Sequence, residues 1–346
     1  MWLFNICHVY LEKIFSRMKK EAHTSAITPE ELANGRNFKA CVISFFDGML
    51  DHHWSLLQYA RKLADGKTSD VLVILCAYKR EKSRTNKLSP VLLSPDERWQ
   101  MLREAGYQHV MHLTVSPDYH IMDYPTLPAD TDLLLKHNKV LIPGADTMHV
   151  PGFPEFFKAI EAQAKNYGAS LDRQFFETNV FAHNRHQEMI RNGRMTAFLD
   201  STGYAFPVGG HVVKGNMIGH TLGYPTANLR VGDPLKMVPA QGVYVGMVSV
   251  DNVWFQAMIN IGIRPTLDME NVTIEAHLFD FEKDIYGEWI RIAFLERTRD
   301  EMRFSSLGEL KLQLDRDKIK AKEVLAGCLG NTTANAFIHR KPIRWS

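Results

Sequence analysis

The chain has 346 residues, more than one average domain needs, and its 45% hydrophobic and 23% charged content excludes collagenous, disordered and disulfide-stapled classes. A formal charge of +2 provides no strong field for a polyanion, which argues against nucleic acid or an anionic membrane surface as a main partner. Cys7, Cys41, Cys76 and Cys328 lie far apart without a CxxC pair, which points away from a disulfide framework or thiolate zinc site and toward a reducing, cytoplasmic setting.

Residues 1–38 read as an N-terminal extension. Its first fifteen residues are apolar and aromatic but lack a basic start and are interrupted by Glu12 and Lys13, which fits neither a signal peptide nor a membrane helix. Met18, followed by Lys19 and Lys20, would serve as a start of its own. Residues 39–205 then alternate apolar runs with amphipathic stretches, the pattern of an α/β domain with a parallel sheet. Buried strands are expected at residues 40–46, 71–77, 109–115 and 140–142. Ser94 and Glu97 form a capping box opening a helix that closes at Gly106.

Residues 206–326 change to short extended runs broken by Gly, Pro and Asp, the pattern of an all-β barrel or sandwich. Strands are expected at residues 243–250, 254–261, 273–281 and 289–295, with a turn from Asp284 to Gly287. A terminal helix follows, capped by Ser306 and Glu309, with Leu307, Leu310, Leu314, Ala321 and Leu325 on its buried face. Residues 327–346 read as a loose tail.

The densest group of unusual residues is Gly215, Gly219 and the run from Leu222 to Asn228, which includes Gly223, Tyr224, Pro225 and Thr226. Glycines four apart before a Pro-Thr turn let backbone amides approach an anion, as phosphate loops do. Thr226 and Asn228, two apart in an extended piece, point the same way and offer neutral oxygens suited to Mg²⁺ shared with phosphates. The same residues also fit a plain turn with a capped Asn. In the segment around Glu275, alternation puts Glu275, His277, Phe279 and Phe281 on one face. A partly desolvated carboxylate there would serve as a general base toward a hydroxyl, although a solvent-facing edge-strand Glu fits as well.

Together these motifs, with Gly242-Val243-Tyr244, Asn260-Ile261-Gly262, Arg264-Pro265-Thr266, Tyr286-Gly287 and Arg299-x-Glu301-x-x-Phe304, closely resemble the riboflavin kinase module of bacterial bifunctional FAD synthetases. The resemblance implies a six-stranded barrel that phosphorylates riboflavin with Mg-ATP to give FMN. It implies Thr226 and Asn228 on Mg²⁺, with Gly215, Gly219, Gly223, Tyr224, Pro225 and Thr226 around ATP. Glu275 would be the catalytic base, and Arg299, Glu301 and Phe304 would lie on the flavin side. Ile218 and His220 stand where family members often carry basic residues, which implies weaker ATP binding.

The preceding module in that family is a Rossmann-like nucleotidyltransferase that adenylylates FMN, and its motifs are depleted here. The stretch from Ser44 to His53 keeps Phe46, Asp47, Gly48 and His53, but Leu50 replaces a histidine and His52 a glycine. The stretch from Leu75 to Lys79 lacks the expected histidine and prolines, and the stretch from Ala182 to Gln187 keeps only Arg185. Losing imidazole, hydroxyl and glycine together leaves little to stabilise a reacting α-phosphorus, so adenylyltransferase activity is expected to be weak or lost. The half would then remain as a folding partner, dimer surface or ligand-binding shell. A fully bifunctional FAD synthetase and a non-enzymatic flavin or nucleotide sensor are the alternatives. The expected partners are small molecules, with no nucleic acid or membrane, and a homo-oligomer is left open.

Overall fold

The computed structural model describes residues 38–78, 90–115, 140–143, 161–162, 171–174, 180–215, 218–265 and 270–329. Most of the N-terminal extension and of the C-terminal tail, with Lys79 and Thr266 of the quoted motifs, lie outside the described residues.

The first half is a five-stranded sheet in the order β3-β2-β1-β4-β5, formed by β1 (Ala40–Ser44), β2 (Val71–Tyr78), β3 (His109–Val115), β4 (Val140–Pro143) and β5 (Leu171–Gln174). Every pair is parallel. β1 is buried along its length and β2 from Val71 to Cys76, in largely apolar runs, as a sheet covered on both faces requires. β5 has the sequence LDRQ, too short and polar for an apolar pattern to reveal; its pairing with β4 makes it a strand. Helices α1 (Asp51–Leu63) and α2 (Pro95–Glu104) pack on the sheet, and α3 (Val180–Arg191) and α4 (Met195–Thr202) lead out of it. The chain adds strands outward from β1 and then crosses back to β4, so the loop after β1 leaves at the topological switch point of the sheet.

The second half is a closed barrel in the order β10-β7-β6-β11-β8-β9 with antiparallel pairing throughout. Its strands are β6 (Phe206–Val213), β7 (Ala227–Val231), β8 (Gly242–Val250), β9 (Val253–Pro265), β10 (Glu270–Leu278) and β11 (Trp289–Arg299). The short helix α5 (Ile218–Thr221) sits between β6 and β7, and α6 (Leu307–Leu329) closes the chain. β6 is not among the expected strands because Pro207, Gly209 and Gly210 depress strand propensity, whereas β7 contains Asn228 of the piece expected to be extended. Gly210 is needed for the pairing itself: a Cβ there would stand 2.1 Å from the Arg230 carbonyl oxygen.

Alternation fills the barrel interior with Val248, Ile259, Ile261, Ile274, Ala276 and Ile292. The outer face of β8, β9 and β11 carries Val245, Met247, Met258 and Leu295, which pack with Ala321 and Leu325 of α6. The earlier turns of α6 differ from expectation. Leu307 is 58% exposed, because only the later turns lie against the barrel. The Ser306 hydroxyl accepts from the Glu309 amide at 3.2 Å, but the Glu309 carboxylate accepts from the Ser305 amide at 3.0 Å, so the reciprocal bond is displaced by one residue.

Sheet and barrel share one apolar cluster, and a buried carboxylate joins them. Glu97 completes the expected capping box of α2: the Ser94 amide donates to its Oε2 at 2.8 Å, and its own amide donates to the Ser94 hydroxyl at 3.2 Å. The same carboxylate accepts from the Gly209 amide of β6 at 3.0 Å and pairs with Lys236 Nζ at 2.8 Å. Burial raises the Glu97 carboxyl and lowers the Lys236 ammonium, so both charges oppose their own burial and depend on each other and on the two amides. Backbone bonds from the Val91 amide to the Leu235 carbonyl (2.8 Å) and from the Met237 amide to the Val91 carbonyl (3.0 Å) flank the pair.

Lys236→Met should lower the unfolding free energy by about 3–5 kcal/mol, because Glu97 is left charged and buried, whereas the double variant E97Q/K236M should recover part of the loss. Urea unfolding followed by fluorescence measures both; a wild-type midpoint for K236M would show that the pair does not hold the two halves together.

Candidate functional site

On β10, Ile274, Ala276 and Leu278 enter the core, so Glu275 and His277 lie on the outer face of the barrel. Glu275 is in register with Asn228 of β7 on one side and Asn260 of β9 on the other. The next residues in this row are Val243 of β8, opposite Asn260, and Arg299 of β11, opposite Val243. Thr226 lies just before β7 and its hydroxyl donates to Glu275 Oε2 at 3.5 Å, the outer limit for such a bond. Alternation along β7 turns Ala227 and Leu229 inward and leaves Thr226 and Asn228 on the same side as Glu275. Asn260 was not singled out for function from sequence; the only signal was its place in the Asn-Ile-Gly motif. Its Nδ2 donates to Glu301 Oε1 at 3.2 Å.

The glycine-rich loop folds back over this row. A Cβ at Gly215 would lie 2.2 Å from Asn228 Nδ2, so only glycine lets the Asn228 carboxamide lie across the chain there. At Gly219 it would lie 2.3 Å from the Tyr224 carbonyl oxygen. The Tyr224 amide donates to the Gly219 carbonyl at 2.7 Å and the Gly223 amide to the His220 carbonyl at 3.2 Å. These two amides are therefore used to close the loop on itself. His277 Nδ1 donates to the Pro225 carbonyl at 2.8 Å, and burial lowers the His277 pKa, which keeps that imidazole neutral. The Tyr224 hydroxyl donates to Asp315 of α6 at 2.5 Å. Burial, reinforced by that bond, pushes the Tyr224 phenol up to about 12.

On the expected flavin side, Arg299 donates from Nε and Nη2 to Asp317 of α6 at 2.9 and 2.6 Å, and from Nη1 to the Asp300 carbonyl at 2.8 Å. Its guanidinium thus anchors the end of β11 to α6. Glu301 joins the row through Asn260, and Phe304 is half-buried just before α6.

A second polar group occupies the switch point of the sheet. Asp47 accepts from the Leu93 amide at 2.9 Å, the Leu92 amide at 3.3 Å and His183 Nε2 at 2.9 Å. Burial alone would raise the Asp47 carboxyl; the bond and charge of His183, with Arg98 and the Leu93 amide, outweigh it and hold the carboxyl below its usual range. His53 is buried and its Nδ1 accepts from the Leu50 amide at 3.0 Å, which fastens the start of α1. The helix begins at Asp51 with Leu50 as its cap. Phe46 is buried with φ 54°, and the Gly48 carbonyl accepts from the Tyr204 hydroxyl at 2.7 Å. Arg185 is exposed on α3, and His183 is the residue of that helix that reaches Asp47.

Among the described residues, no group of three or more His, Cys, Asp or Glu side chains is placed to hold a metal ion by itself. Among the same residues, no helix is long and apolar enough to cross a membrane.

A family model described as riboflavin kinase (flavokinase) matches residues 202–325. The bifunctional riboflavin kinase/FMN adenylyltransferase of Escherichia coli (strain K12) is 30% identical over 296 residues, covering 82% of this chain and 93% of its own length. That of Haemophilus influenzae is 26% identical over 288 residues, with the same two coverages. Among solved structures, a protein from Streptococcus pneumoniae named macrolide-efflux protein is similar with a TM-score of 0.64 and 25% identity, over 87% of this chain and 99% of its own.

The buried imidazoles set an acid limit on the fold. Burial lowers His52, His112 and His186 from 6.5 to about 4, and lowers His53 well below 6.5. The unfolded chain therefore takes up protons first as pH falls, so this stability is full above about 6.5 and is lost progressively toward 4. Asp47, whose folded value lies below 3.8, adds a further loss only below that pH. Melting temperatures across this range should decline from pH 6.5 to 4, with a shallower decline in H112L; a flat profile would mean that these rings are solvated.

Proposed function

The chain belongs to the bifunctional riboflavin kinase/FMN adenylyltransferase family, and from that membership we propose that the outer face of its barrel carries the kinase chemistry while its sheet half has lost most adenylyl transfer. It is an enzyme that phosphorylates riboflavin, with ATP and riboflavin as substrates. The observation that supports the site is the row itself: Glu275 between Asn228 and Asn260, with the Thr226 hydroxyl at 3.5 Å.

In this reading Glu275 takes the proton of the riboflavin 5′-hydroxyl, the oxygen attacks the γ-phosphorus of ATP, the bond to the bridging oxygen breaks, and FMN and ADP result. The loop holding Gly215, Gly219, Gly223, Tyr224 and Pro225 covers the triphosphate, and its internal bonds fix its shape before ATP arrives. The Thr226 hydroxyl and the Asn228 amide oxygen form a hard, neutral oxygen set, and the Gly215 cradle holds the Asn228 carboxamide in place. That donor set fits Mg²⁺ completed by phosphate oxygens, so Thr226 and Asn228 would hold it. When bound, Mg²⁺ neutralises charge on the phosphoryl oxygens. Arg299, Glu301 and Phe304 border the flavin side, Arg299 as the anchor of that edge and Glu301 through Asn260.

Two features support loss of adenylyl transfer. Leu50 stands buried where the family motif has an imidazole, and Asp47 already binds the Leu92 and Leu93 amides and His183. A bifunctional reading is favoured instead by the coverage of 93% of the Escherichia coli enzyme, both halves included. Incubation with riboflavin, ATP and Mg²⁺ followed by chromatography decides between them: FMN alone is expected, and FAD at a comparable rate would establish the bifunctional enzyme.

Glu275→Gln should lower kcat by about 10²–10⁴-fold with riboflavin binding retained, because the proton acceptor is lost while the shape is kept. An unchanged kcat would remove Glu275 from the mechanism. Thr226→Ala should raise the KM for ATP; unchanged nucleotide kinetics would remove the loop.

A further inference from the structure

α6 touches both borders of the proposed site through two carboxylates two residues apart. Asp315 accepts from the Tyr224 hydroxyl at 2.5 Å, and Tyr224 is followed directly by Pro225 and Thr226. Asp317 accepts from Arg299 Nε and Nη2 at 2.9 and 2.6 Å, and is itself fixed by Gln313 Nε2 at 2.8 Å. Directly after Asp317, Lys318 Nζ lies 5.7 Å from the Tyr224 ring centre and 5.8 Å from that of Phe279. The Tyr224 ring is 6% exposed and packs edge-on against His277, 5.1 Å between centres, while His277 holds the Pro225 carbonyl. The nucleotide-side loop is thus gripped from the barrel by His277 and from the helix by Asp315. Farther along, Ala321 and Leu325 seat the helix on the barrel, so it is a rigid mount for both contacts.

We propose that Asp315 and Asp317 are positioning residues of the phosphoryl transfer, holding the nucleotide-side loop through Tyr224 and the flavin-side end of β11 through Arg299 on one helix. Neither carboxylate touches the reacting atoms. Asp315 restricts where Tyr224 can sit, and hence where the Pro225-Thr226 backbone presents the Thr226 hydroxyl. Asp317 does the same for the strand end that leads to Glu301. Because one helix carries both, loosening either grip is felt at the other border. The proposal rests on the reading of residues 215–226 as the nucleotide loop, and the test separates the two.

Steady-state kinetics of the full chain, varying ATP and riboflavin independently, should be run on D315N, Y224F, D315N/Y224F, D317N and T226A. D315N and Y224F should each raise the KM for ATP about 3–10-fold with kcat within about 2-fold, and the double variant should be no worse than either single. D317N should raise the KM for riboflavin more than that for ATP. Additive losses in D315N/Y224F would overturn the Asp315 arm, because the two residues would then act separately. A wild-type riboflavin KM in D317N would overturn the Asp317 arm. If D315N leaves the ATP KM unchanged while T226A raises it, the loop reading stands and the latch is wrong. If T226A also leaves it unchanged, the loop reading fails and the latch with it. Amide hydrogen exchange at residues 219–226 supplies a readout independent of turnover: faster exchange in D315N supports the latch and an unchanged rate overturns it.

Discussion

The Glu97 carboxylate is the point on which both halves of the molecule depend. A capping-box glutamate ordinarily spends its oxygens on its own helix and on water. Here one oxygen takes the Ser94 amide and Lys236, and the other takes the first barrel strand through Gly209. A buried charge without such partners would be expelled, so the geometry is over-determined: the helix start, β6 and the chain before β8 must all be in place together. The Phe206 ring lies 3.9 Å from Lys236 Nζ, which brings the apolar core into the same arrangement. That explains why the hydrophobic cluster passes from sheet to barrel without a break.

Closure of the barrel decides which side chains face outward. Six strands enclose an interior lined by their own apolar side chains. Polar residues on alternate positions must therefore face outward, where the loop between β6 and β7 and helix α6 are the available walls. The row from Asn228 through Glu275 to Asn260 lies on that outer face. His277 and Tyr224 then link the loop to the strand below and the helix above, so the walls are fixed by hydrogen bonds as well as by apolar contact.

The switch point of the sheet illustrates the opposite use of polar groups. Asp47, His53 and the Gly48 carbonyl bond to the protein itself: to backbone amides, to a helix start and to a tyrosine hydroxyl. Satisfied in this way, they stabilise the crevice in which related α/β folds place ligands. The crevice is thus held by polar groups that already have partners within the protein.

Sequence alone determined what depends on local period and composition. The alternation in β10 put Glu275 and His277 on one face, the apolar runs gave β1 to β4, and the Ser94-Glu97 pair marked the start of α2, because each of these signals is written within a few residues. The order of motifs carried the family. Only the tertiary structure decided what depends on partners distant in the chain. β6 is a strand because Gly210 permits close approach to Arg230, Leu307 is exposed because α6 overhangs the barrel, and Glu97 is a joint because Lys236 arrives from residues far downstream. Asp315 and Asp317 stand among other charged residues of a helix, and nothing in the neighbouring sequence names Tyr224 or Arg299. Such contacts follow from closure of the barrel and seating of the last helix, and no local window of residues contains that information.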